Sequence, residues 1–146
     1  MTQDNRTDRL DWMMNDLVDR VVGVENAVLL STDGLLMARS AGIARDDAEH
    51  LAAVGSAYRS LSHGTGRHFD LGGVRQTMVE LDRAYLLVTE AGERACLALI
   101  TNETADLGLV AYEMNRVVQQ TRSHLASDPR STGVNGTGDP AVARAS

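Results

Sequence analysis

Apolar residues recur early in the chain at Leu10, Met13, Met14, Leu17, Val18, Val21 and Val22, the i, i+3, i+4, i+7 spacing that lines one face of a helix. Gly23 closes that pattern. Residues 26–31, NAVLLS, are apolar on both alternating faces, as expected of a strand covered on two sides. Residues 35–40 return antiparallel to it around Asp33-Gly34, a dipeptide suited to a two-residue type I′ turn. A second helix is predicted from Asp46, with Glu49 three residues on as a reciprocal cap, to about Leu61 or Ser62, with Gly64 as its terminator. Three short strands follow at 74–81, 84–89 and 95–101. Leu107, Val110, Ala111, Met114, Val117, Val118 and Leu125 then restore helical spacing to Ala126.

The order helix, two strands, helix, three strands, helix is that of an α+β domain. The first, fourth and fifth strands are apolar on both faces and belong inside the sheet. Arg39 in the second strand, and Arg75, Gln76 and Glu80 in the third, mark those two as edges. Short connections then leave one arrangement, a five-stranded antiparallel sheet ordered 2-1-5-4-3 with helices on both faces. The first and third helices share a face. The domain is expected to span residues 8–126; residues 127–146 hold both prolines and no apolar period, and are read as a disordered tail.

Composition narrows the chemistry. The chain has 146 residues, 43% hydrophobic, enough for one core. No apolar run approaches the roughly eighteen residues of a membrane span, and the polar N-terminus lacks a signal sequence's apolar centre. Direct membrane insertion is therefore not expected, and the expected location is cytoplasmic. The single cysteine, Cys96, lies in the apolar run ACLALI and reads as a buried thiol. All fourteen basic residues are arginine, and the net charge is −6. The lack of lysine removes the phosphate-gripping side chain of a P-loop and any Schiff-base chemistry. The negative charge and the scarcity of aromatic rings argue against nucleic acid as a partner.

Candidate reactive groups fall away in the same manner. His63 and His68 have no third ligand at metal-binding spacing, so no metal is expected. Gly64-Thr65-Gly66 ends a helix, whereas a phosphate-cradling turn opens one. Asp46, Asp47 and Glu49 sit in a first helical turn, where acidic charge complements the helix dipole. No catalytic residues and no cofactor are assigned, and the protein is read as non-enzymatic.

The second helix carries a different signal. Leu51, Val54, Gly55, Tyr58, Leu61 and Ser62 are expected on its core face, while Ala53, Ser56, Ala57 and Ser60 line the opposite side. Small side chains there let another helix approach closely, and pairing with its own copy gives a two-fold contact. The third strand, at a sheet edge without Pro or Lys, needs covering as well. Antiparallel pairing with its own copy through Arg75, Thr77 and Val79 supplies that cover.

Three stretches, VVGVENAVLLSTDGLLMARS, VELDRAYLLVTEAGERACLALIT and ADLGLVAYEMNR, resemble the roadblock family of small dimeric proteins named after the dynein light chain. The match covers about residues 8–125, and the last stretch resembles the actinobacterial branch in particular. The resemblance implies a profilin-like roadblock fold and a homodimer that regulates or scaffolds a Ras-like small GTPase. In that branch such proteins accompany a membrane sensor histidine kinase, which would recruit this domain to the membrane periphery. Glu49, Ala52, Arg59 and His63 border the surface the GTPase would meet. Arg59 and Arg39 are the arginines near that face, and both read as ordinary solvated side chains more readily than as fingers for phosphoryl transfer. The rival reading is a small-molecule sensor with a ligand pocket between sheet and helix.

Overall fold

The computed structural model describes residues 2–126. In chain order these form α1 (Thr2–Arg20), β1 (Val24–Ser31), β2 (Leu36–Arg39), α2 (Arg45–His68), β3 (Gln76–Leu81), β4 (Ala84–Glu90), β5 (Ala95–Asn102) and α3 (Leu107–Ala126). The strands make one antiparallel sheet in the order β2-β1-β5-β4-β3. This is the α+β topology expected from the sequence. The tail proposed for residues 127–146 lies outside the described residues.

Strand register explains how one sheet supports two cores. Ala27 pairs with Leu99, Leu29 with Leu97 and Leu87 with Leu99. These side chains share the face covered by Met14 and Leu17 of α1 and by Val110, Met114 and Val117 of α3. One residue along, Val28 and Val88 both pair with Ala98, and Leu30 pairs with Cys96. Those side chains point the other way, toward Ala48, Leu51 and Ala52 of α2. A one-residue slip would exchange the two sets. Each large side chain fully buried here stabilises by about 1.5–3 kcal/mol, opposed by the entropy of ordering the chain around it.

Several expected boundaries move, each for a local reason. Helix α1 ends at Arg20, and Val22 is 87% exposed instead of lying on the core face. Gly23 has φ +98, and a Cβ there would sit 2.7 Å from that of Ala105, so the chain turns sharply and swings Val22 outward. The β1–β2 connection is a hairpin but not a two-residue type I′ turn. The amide of Gly34 donates to the Ser31 carbonyl (2.9 Å), and that of Ser31 donates to the Leu35 carbonyl (2.8 Å). Only Gly34, at φ +92, is left-handed, and Asp33 is not. The loop is therefore the three-residue Thr32-Asp33-Gly34, a turn followed by a glycine bulge. The Asp33 carboxylate accepts from the Ser31 hydroxyl within it.

Helix α2 differs most from expectation. Ala44 occupies its N-cap without a side-chain hydrogen bond, so the reciprocal Asp46–Glu49 cap does not form. The acidic first turn still opposes the positive end of the dipole. The helix also runs through Gly64 and Gly66 to His68. The reason lies in the chain that follows: the Leu71 amide donates to the Gly66 carbonyl (2.8 Å) and the Phe69 amide to that of Thr65 (3.1 Å). Termination falls to Asp70, at φ 55, and Gly72, at φ 93. The returning backbone packs so closely that a Cβ at Gly66 would lie 2.2 Å from the Gly72 carbonyl oxygen.

Candidate functional site: a surface on α2 and β3

The two edges of the sheet are treated differently. At β2, the Arg39 amide donates to Asp11 Oδ1 (3.0 Å) and the next amide but one, Ala41, donates to Asn15 Oδ1 (2.6 Å). Both acceptors lie on α1, so that helix caps the edge it crosses. Among the described residues, the outer edge of β3 receives no such cap. An uncapped strand edge is a row of donors and acceptors available to another strand. Arg75 lies just before β3, which begins at Gln76, and its carbonyl accepts from Thr89 Oγ1 (2.9 Å). Thr77 and Val79 are opposite Val88 and Leu86, so both face α2 and are half-buried; neighbouring Met78 is 51% exposed on the other side.

On α2, Ala48, Leu51, Ala52 and Gly55 face the sheet and are buried. Ala52 is therefore beneath the helix and cannot touch a partner, contrary to its expected place on the partner surface. Helical spacing from Ala48 and Leu51 returns to the core at position 52, and the small Ala52 gave no sequence contrast to mark it. Leu61 is corrected in the opposite direction: it was expected on the core face and is 70% exposed. It lies four residues after Ala57 and eight after Ala53, on the row that faces outward. Ser56 is half-buried and its hydroxyl donates to the Thr32 carbonyl (2.9 Å), so it anchors the β1–β2 turn. The outward row consists of Ala53, Ala57, Ser60 and Leu61, all exposed and uncharged. Phe69 and Leu71 are exposed just beyond the helix end.

The remaining expected partner residues are tied to their own domain. Glu49 is exposed and lies 3.5 Å from Arg45 Nε. Arg59 and His63 both turn inward to Glu90, the last residue of β4. Arg59 Nε is 3.2 Å and His63 Nε2 2.6 Å from the same oxygen, Glu90 Oε2. An ionised carboxylate only accepts, so His63 Nε2 carries the proton between them. Arg59 Nε is buried and makes no hydrogen bond, so its hold on Glu90 is a matter of charge. Arg39 is engaged too, donating to the Ile43 carbonyl at 2.5 Å.

Cys96 lies opposite Glu90 in the β4–β5 register and is fully buried. Burial pushes its thiol up to about 11; the charge of Arg59 opposes that shift and the charge of Glu90 adds to it. A thiol held neutral in this way is a packing group without nucleophilic character. Among the described residues no three His, Cys, Asp or Glu side chains converge as metal ligands, and no helix is long and apolar enough to cross a membrane. Sequence reasoning missed Glu90 altogether. Its only signal was a carboxylate closing an otherwise apolar strand.

The profile of the Roadblock/LC7 domain family matches residues 10–101. A Roadblock/LC7 domain from Streptomyces avermitilis, solved as a crystal structure, is 42% identical; the alignment covers 80% of this chain and 98% of that one, with a TM-score of 0.78. An uncharacterised protein of Methanocaldococcus jannaschii is 29% identical over 118 residues, which are 76% of this chain and 98% of that protein. The structure of Myxococcus xanthus MglB, 17% identical with 82% of this chain and 96% of that one covered, has the same fold at a TM-score of 0.75. With more than half of its length matched by the family profile and its fold shared with these structures, the chain belongs to the Roadblock/LC7 domain family.

Proposed function

We propose that residues 8–126 form a regulatory or scaffold homodimer that binds a Ras-like small GTPase in a bacterial signalling system. The observation that carries this reading is the uncharged row Ala53, Ala57, Ser60 and Leu61 on α2, alongside the uncapped edge of β3. Small side chains allow two copies of α2 to approach closely, and antiparallel pairing of two β3 strands satisfies the edge. Each contact pairs a surface with its own copy, as a two-fold dimer requires.

The GTPase partner comes from family membership. In this reading the paired α2 helices and their neighbouring loops hold the switch segments of the GTPase. Insertion of Arg59 into the phosphates has no part in it, because Glu90 already occupies that side chain. A sensor kinase complex is the upstream component that the family resemblance suggests.

Sedimentation equilibrium tests the dimer. The wild type should sediment as a dimer and Ala57→Arg as a folded monomer, because residue 57 is exposed and an arginine there is accommodated by the isolated domain. Ser56→Arg is a poor probe, since it also breaks the bond to Thr32. Affinity capture from native extract with GTP or GDP present tests the partner. Recovery of a small GTPase that depends on the nucleotide supports the reading. A tightly held metabolite with no protein partner would replace it with the small-molecule sensor.

A further inference from the structure

The attachment of α2 to the sheet changes character along its length, and Glu90 is where the change is concentrated. From Arg45 to Gly55 the inward side chains are Ala48, Leu51, Ala52 and Gly55, packed on Leu30, Ala98 and their neighbours. Beyond Gly55 the inward contacts are largely polar. Arg59 and His63 share Glu90 Oε2, Ser62 Oγ is 3.1 Å from Thr77 Oγ1, and Gly66 is covered by backbone. Tyr58 adds partial apolar contact.

We propose that Glu90 is the positioning residue of the self-association surface: by holding Arg59 and His63 from β4, it fixes the C-terminal half of α2 over the β3 side of the sheet. Apolar contact is non-directional and tolerates a helix rolling or sliding, whereas a carboxylate gripped by two cationic or donor groups on successive turns fixes both height and rotation. Arg59 and His63 are four residues apart, one turn, so a single oxygen reaches both. The outward row is set by the same rotation. If the helix rolls, Ala57, Ser60 and Leu61 no longer keep their outward position relative to the edge of β3. Removing Glu90 also leaves the Arg59 guanidinium, whose Nε is buried, without its counter-charge, and that favours lifting of this half of the helix.

The proposal rests on the dimer reading, and the experiment separates the two. Amide hydrogen exchange and sedimentation equilibrium are measured on the full chain for wild type, Glu90→Ala, Glu90→Gln, Arg59→Ala and, as a control, Glu113→Ala. Glu113 accepts from Arg20 (2.8 Å) and Arg116 (3.1 Å) on the opposite side of the sheet, so its loss also breaks two ionic contacts. Exchange across residues 59–68 should rise at least tenfold in Glu90→Ala while residues 48–55 stay as in wild type, and self-association should weaken at least fivefold. Arg59→Ala should behave similarly, and Glu90→Gln, which keeps size and an acceptor, should fall between. Glu113→Ala should change neither quantity. Faster exchange along the whole of α2, or faster exchange of residues 59–68 with unaltered self-association, overturns the proposal. A wild type that stays monomeric sinks the dimer reading and, with it, any role for Glu90 in association; the exchange pattern then decides whether Glu90 positions the helix at all. Should Glu90→Ala fail to fold, Glu90→Gln and Arg59→Ala decide the matter.

Discussion

The two halves of α2 are held to the same sheet by different physics. The first half, Arg45 to Gly55, lies flat on apolar side chains; even at Gly55 a Cβ would meet Leu30 and Ala98 at 3.5 Å, an ordinary contact distance. The second half rests on Glu90, Thr77 and the chain returning past Gly66. The first kind of contact supplies most of the stability, because removing water from apolar area is the dominant favourable term in folding. The second supplies direction, because hydrogen bonds such as those of His63 to Glu90 and Ser62 to Thr77 act only within narrow distances and angles. In the proposed homodimer, where this surface meets a symmetric copy of itself, direction matters more than additional stability.

Leu51→Ala should have the largest effect on this contrast, lowering stability by about 2–5 kcal/mol through lost burial and a residual cavity. Denaturant unfolding would measure it, and a loss under about 1 kcal/mol would mean the first half is not the anchor. Cys96, buried beneath the second half, provides an internal reporter. With its thiol pushed from 9.0 up to about 11, ionisation alone should slow alkylation at pH 8 about a hundredfold relative to the unfolded chain. The same shift carries a sign for stability. Well below pH 9 the thiol is neutral in both states; as pH rises through 9 the unfolded chain ionises first, so stability should fall toward about pH 11. Rapid labelling of the folded wild type would show that the second half opens readily.

Glycine substitutions sharpen the comparison within the second half itself. Gly66→Ala should destabilise by about 1–3 kcal/mol, because the clash with the Gly72 carbonyl outweighs a gain in helix propensity of about 1 kcal/mol. Gly64, two residues away, has nothing within 4 Å of the point where a methyl group would sit. Gly64→Ala should therefore stabilise by about 0.5–1 kcal/mol. Thermal unfolding of the two variants should move in opposite directions, and a shared sign would break the account of how α2 ends. Ser62→Ala comes last, at about 1 kcal/mol or less for one half-buried hydrogen bond to Thr77.

The positions that misled sequence reasoning share a cause. Gly64 has the composition of a terminator, yet the helix passes through it because backbone from residues 71 and 72 closes over Gly66. Ala52 and Ala53 are chemically identical neighbours, and only the packing of α2 on β1 and β5 decides that one is buried and the other exposed. Ser56 belonged to the small-residue row by spacing, and a hairpin arriving from elsewhere in the chain gave it an acceptor in Thr32. Glu90 and His63 are 27 residues apart, and no local pattern links them.

What the sequence determined by itself was everything set by periodicity and by the contrast between apolar and polar strands. It specified three helices, five strands, the 2-1-5-4-3 order, and the pairing of α1 with α3 on one face, because burial of apolar area acts on patterns that repeat every two or 3.6 residues. The tertiary structure alone decided where α2 ends, which of its small residues face outward, and which carboxylate holds it in place. Those outcomes depend on single contacts between segments far apart in the chain, and such contacts have no period to read.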